Sequence, residues 1–155
     1  MATTRFCLIG LGFLILSLCF AASWHRPADT QTLNGCGPKS LSVVSRRLGV
    51  EVSQEQVLRM MGDHAEVSSF ADLQAAAGRL GLKATGVDTT VQEMARSKAL
   101  GILHVEGFHF IAVVGYQPHS LVVVDPASPN YPQEQALSYA ALQQVWDGRM
   151  LTVAR

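Results

Sequence analysis

Four residues of this chain could carry out acyl transfer together: Gln31, Cys36, His109 and Asp125. Cys36 lies in the run Asn34-Gly35-Cys36-Gly37-Pro38, a turn signal that leads into apolar residues at helical spacing, Leu41, Val44 and Leu48. That spacing predicts a helix over about 37–48 ending at Gly49, with Pro38 in the first turn, where its missing N–H costs nothing. A cysteine at the start of a helix meets unpaired N–H groups and a partial positive charge, and both favour the thiolate. Gly35 and Gly37 would let the backbone approach a substrate closely. A nucleophilic thiol also needs a base, and the base needs a group to orient it.

His109 opens the β-branched run HFIAVVG and Asp125 closes the next one, SLVVVD. With the hairpin turn centred on Gln117, the two residues face each other directly, with Cβ atoms about 5 Å apart. A carboxylate at that distance can hold one ring nitrogen and leave the other for a thiol. A turn with an even number of residues would slide the pair to a diagonal and loosen the contact. Gln31, five residues ahead of Cys36, could join the Cys36 N–H in an oxyanion hole. Each residue also has an ordinary reading: a buried inert thiol, a packed histidine, an Asp-Pro turn. It is their combination and order, with the cysteine at a helix start, that points to nucleophilic catalysis.

The remaining elements must bring these residues together. Ser53-x-x-Gln56, Ser69-x-x-Asp72 and Thr90-x-x-Glu93 have capping-box spacing and open helices over QEQVLRMMG, FADLQAAAGRLG and VQEMARS. GILHV, HFIAVVG and SLVVVD read as strands. A loop broken by Pro126, Pro129 and Pro132 leads to a helix, YAALQQVW, starting at Ser138, and MLTVA closes as a strand. Helices first and strands later predict an α+β fold, with N-terminal helices packed on an antiparallel sheet.

Residues 6–22, FCLIGLGFLILSLCFAA, form an uncharged apolar run that follows Arg5. It has the make-up of a secretory signal cut after Ala21 or Ser23, or of a single uncleaved membrane anchor. Residues 1–23 are read as that segment, 24–33 as a linker and 34–155 as one domain. Either reading of the segment places the domain outside the cytoplasm. Two of the three cysteines, Cys7 and Cys19, fall in the apolar run. Cys36 is alone in the domain, so no disulfide can form within it.

The 155 residues are 48% hydrophobic and 15% charged with zero formal net charge. That balance argues against a disordered tail and against a nucleic-acid binder, which needs a basic face. His64, His104 and His119 do not have zinc-ligand spacing, and no Gly-rich phosphate loop is present, so no metal or other cofactor is expected. Trp146 is expected as a core anchor on the last helix.

The stretches CGPKSLSVVSRRLGV, SSFADLQAAAGRLGLKA, FHFIAVVGY and LVVVDP resemble the bacteriocin-processing cysteine peptidases. These are double-glycine leader peptidase domains, cysteine peptidase family 39, often found ahead of peptide-exporting ABC transporters. The resemblance covers roughly residues 30 to 128. It implies a papain-like fold in which Cys36 is the nucleophile, His109 the base and later the acid, and Asp125 the orienting carboxylate, with an upstream Gln in the oxyanion hole. Gln31 stands one residue closer to Cys36 than the family places its glutamine. No ATP-binding motif follows, so a free-standing domain is expected. The sequence therefore reads as a cysteine peptidase acting through a thioester, with a peptide or protein substrate. The membrane, through the N-terminal segment, and a separate peptide-exporting transporter are the expected partners. A non-catalytic peptide-binding domain of the same fold, and an amidase or transpeptidase acting on cell-wall peptides, are the alternatives.

Overall fold

The computed structural model describes residues 35–62 and 68–155. The apolar run, the linker and Gln31 lie outside them. The elements are α1 (Cys36–Arg47), α2 (Gln54–Met61), α3 (Phe70–Arg79), β1 (Lys83–Asp88), α4 (Val91–Ser97), β2 (Gly101–Val105), β3 (His109–Gln117), β4 (Ser120–Val124), β5 (Gln135–Ser138), α5 (Tyr139–Val145) and β6 (Trp146–Ala154). The expected α+β fold is what forms. The strands make one six-stranded antiparallel sheet in the order β1-β6-β2-β3-β4-β5.

The capping boxes set the helix starts. Ser53, Ser69 and Thr90 each accept a bond from the N–H three residues on, and the Gln56, Asp72 and Glu93 side chains accept one from the cap N–H. α1 starts differently. Gly35 stands at its N-cap with φ of 78°, and no side chain caps the helix. A left-handed residue is needed there, and glycine adopts that conformation without a steric penalty.

Strand alternation gives the sheet two apolar faces. One carries Ile102, Phe110, Ala112, Val114, Val124, Leu151 and Val153 against Leu41 and Val44 of α1 and Leu73, Ala76 and Ala77 of α3. The other carries Leu103, Ile111, Val113, Leu121, Val123 and Met150 against Val91 and Met94 of α4 and Leu142 of α5. The later helices thus cover the face that the N-terminal helices leave bare.

Two strands, β1 and β5, were not expected. β1 has no buried residue and β5 has one, so neither shows an apolar period. β6 begins at Trp146 rather than Met150, so Trp146 opens the last strand and does not lie on the helix before it. It is partly buried against the second face, and its indole N–H donates to the Arg149 carbonyl at 2.7 Å.

The β3–β4 hairpin also departs from expectation. Its turn is the two residues Pro118-His119, since Gln117 pairs with Ser120. Left unbroken, that register would put Asp125 on the opposite face from His109. A β-bulge between Val113 and Gly115 shifts it by one, so that Val113 pairs with Val123 and Ala112 with Val124. One extra residue in a strand reverses the alternation beyond it. Continuing this register sets Asp125 across from Ile111, two residues from His109 on the same face. The pair is diagonal, not directly opposed as expected.

Candidate active site

Cys36 is the first residue of α1 and is buried. Gly37 follows for a steric reason. A Cβ on it would stand 2.9 Å from Ser68 Cβ and 3.2 Å from Leu73 Cδ2. The space beside Gly37 is filled by the start of α3, not left open to a substrate as expected.

His109 and Asp125 are 1% and 3% exposed. Despite the diagonal register their contact is tight, with His109 Nε2 2.8 Å from Asp125 Oδ1. The same Oδ1 accepts the Ala127 N–H at 2.9 Å, and the Asp125 carbonyl accepts from Ser128 N–H. Asp125 is thereby fixed by the turn that its Asp-Pro sequence starts. An ionised carboxylate only accepts, so Nε2–H is the donor. The other ring nitrogen, Nδ1, is buried and makes no hydrogen bond within the usual distance limits among the described residues. The ring interacts with the thiol of Cys36. The structure therefore brings Cys36, His109 and Asp125 together.

The electrostatics of this group favour charge separation. Burial pushes the Cys36 thiol up, but the hydrogen bond from His109, the Phe110 N–H, the His109 charge and the Gly37 N–H outweigh it. The net shift is downward from the ordinary value of 9.0. Burial pulls His109 down, but its hydrogen bonds to Asp125 and Cys36 and their negative charges lift it above 6.5. Both shifts favour a thiolate beside an imidazolium.

A second His–Asp pair lies one strand away. His104 Nδ1 is 2.8 Å from Asp147 Oδ2, and Arg149 clasps the same carboxylate. The His104 ring packs at 5.2 Å from Phe110, its cross-strand partner, and 6.3 Å from Phe70. The sequence marks His104 only as a histidine without zinc-ligand spacing, a surface or core residue, and does not single out Asp147 or Arg149. Their adjacency depends on β6 beginning at Trp146, which no apolar period announces.

The Peptidase C39 family model matches residues 27–155. The chain belongs to the peptidase C39 family. An uncharacterised protein of Methanothermobacter thermautotrophicus is 22% identical over 120 residues, covering 77% of this chain and 82% of its own. Among solved structures, a double glycine motif protease from an AMS/PCAT transporter, in complex with the leader peptide, has a TM-score of 0.63 at 21% identity. It covers 76% of this chain and 82% of its own. The peptidase domain of Streptococcus ComA, a bi-functional ABC transporter, has a TM-score of 0.65 at 20% identity, covering 78% and 91%. The peptidase C39-like domain of a toxin secretion ATP-binding protein from Vibrio parahaemolyticus has 0.64 at 20%, covering 77% and 95%. At these identities the likeness is one of fold.

Proposed function

We propose that this C39-family chain is a cysteine peptidase that hydrolyses peptide bonds through Cys36, His109 and Asp125. The observation that carries the reading is the buried His109 ring, bonded to Asp125 through Nε2, with the thiol of a cysteine at a helix start acting on the same ring.

In this reading the Cys36 thiolate attacks the scissile carbonyl carbon. The oxyanion takes the Cys36 backbone N–H, and Gln31, which lies outside the described residues, is the proposed second donor. The tetrahedral intermediate collapses, the C–N bond breaks, and the leaving amine takes the proton from His109 Nδ1. The acyl group remains on Cys36 as a thioester. His109 then removes a proton from water, the hydroxide adds to the thioester carbonyl, and collapse releases the acid and restores the thiolate. Asp125 keeps Nδ1 aimed at sulfur throughout.

The solved relative held with its leader peptide supports a peptide substrate. Solved transporter-linked relatives support a separate peptide-exporting transporter as partner. The apolar N-terminal run supports a membrane-anchored or exported protein with its domain outside the cytoplasm. Reporter fusions active only in the cytoplasm would contradict that placement.

The test of the activity is hydrolysis of synthetic peptides containing Gly-Gly by the full chain, with mass spectrometry for an acyl group on Cys36. Cleavage lost in Cys36→Ala supports the reading. Peptide binding without cleavage, and no Cys36 labelling by a peptidyl chloromethyl ketone ending in Gly-Gly, would leave a binding domain of the same fold.

A further inference from the structure

The β3–β4 pairing stops at Ala112↔Val124, short of Phe110. The N–H and C=O of one strand residue point to the same side, and beyond the end of β4 that side of Phe110 is met by α1. The Ser40 hydroxyl donates to the Phe110 carbonyl at 3.2 Å. The Phe110 N–H supports the Cys36 thiolate. Ser40 stands four residues after Cys36, on the same side of α1 one turn along, and is fully buried. Ser40 thus ties to α1 the carbonyl of the residue that follows His109, one helical turn from Cys36.

We propose that Ser40 is a positioning residue, whose buried hydroxyl anchors the Phe110 carbonyl to α1 so that the Phe110 N–H and the adjoining His109 ring both meet the Cys36 sulfur. The proposal rests on Cys36 being the nucleophile. It extends that reading by giving the thiolate a backbone donor set by a side chain outside the triad. Among the described residues His109 is the charged group that reaches Cys36, with Asp125 behind it, so loss of Ser40 acts through geometry and not through removal of a charge.

The test is alkylation of the full chain by iodoacetamide from pH 5 to 10. Cys36 lies on the tryptic peptide of residues 6–39, since Arg26 precedes Pro27, and its label is separated from those on Cys7 and Cys19 by fragmenting that peptide; folding is followed by circular dichroism. Ser40→Ala moves the Cys36 midpoint up by about one pH unit, which is about tenfold less thiolate below the midpoint. Ser40→Thr keeps the hydroxyl and restores the wild-type profile. Ser42→Ala removes another buried hydroxyl of α1, one that donates to the Lys39 carbonyl instead, and leaves the profile unmoved. If Ser40→Ala does not fold, Ser40→Cys replaces it, because a thiol is a weak donor and the new group falls on the peptide after Lys39. It gives a smaller upward shift. A folded Ser40→Ala or Ser40→Cys with the wild-type midpoint overturns the proposal, as does an equal shift in Ser42→Ala. A wild-type Cys36 that titrates as an ordinary thiol overturns the catalytic reading itself, a different result.

Discussion

The molecule carries two His–Asp pairs, on neighbouring parts of one sheet and with the same 2.8 Å contact. In one, the side chains of His109 and Asp125 are 1% and 4% exposed, and the third group is the thiol of Cys36. In the other, His104 and Asp147 are 15% and 31% exposed, and the third group is the guanidinium of Arg149. Distance alone does not distinguish them. Burial and the third partner do. Asp147 already has a permanent cation and shares His104 with it, whereas Asp125 faces a base whose free nitrogen meets a group that can lose a proton. On the proposed reading the first pair serves the nucleophile and the second does not.

That contrast can be broken by mutation, and the effects should fall in a definite order. Cys36→Ala removes the nucleophile and should reduce peptide hydrolysis to background. His109→Ala should lower kcat/KM by roughly 10²- to 10⁴-fold. It should also raise the thiol midpoint, because burial then acts on Cys36 without its strongest compensating partner. Asp125→Asn should cost on the order of 10²-fold, since the ring loses the acceptor that fixes its tautomer. Gly37→Ala should lower stability by about 1–3 kcal/mol in a denaturant melt, as its Cβ drives Ser68 and Leu73 from α1. Asp147→Asn should be smallest, at about 1 kcal/mol or less, because its carboxylate is partly exposed to solvent. It should leave the thiol profile unchanged. A comparable loss of hydrolysis in Asp147→Asn would erase the distinction.

Acidity sharpens the comparison. The lowered Cys36 contributes stability above its ordinary value of 9.0, and that contribution is lost as pH falls through its lowered folded value. The raised His109 contributes below 6.5 and loses that contribution as pH rises through its raised value. Both shifts move the balance toward the charged pair, and the pH–rate profile should be a bell with one acidic and one basic limb. The carboxylate of the outer pair titrates elsewhere. Burial lifts Asp147, but Arg149 and His104 outweigh it and hold the carboxyl at about 2. Its contribution should fade only as pH falls from 3.8 toward 2.

Much of this was legible in the sequence. α4 and β2 fall on the residues expected, and the starts of α2, α3, β3 and β4 follow their capping boxes and β-branched runs. The residues proposed for catalysis stood out because a Cys before a helix, a His opening a strand and an Asp closing one are local signals. What was hidden depends on tertiary structure. The bulge at Val113–Gly115 is hinted at only by Gly115 inside an otherwise regular strand pattern, yet it returns Asp125 to the face of His109. β1 and β5 are mostly exposed, so no alternation reveals them. The role of Gly37 depends on Ser68, which only the packing of α3 brings close. Ser40 reads as an ordinary helix residue until Phe110 lies beside it.

The most direct test of the account compares alkylation of Cys36 in the full chain against pH, in wild type and His109→Ala, with the Cys36 label separated from those on Cys7 and Cys19 by peptide fragmentation. The account predicts fast modification in wild type well below the usual thiol range near pH 8.5, and loss of that reactivity in the variant. A Cys36 with the same profile in both proteins, or one masked until the chain unfolds, would contradict the thiolate–imidazolium pair and the peptidase reading built on it.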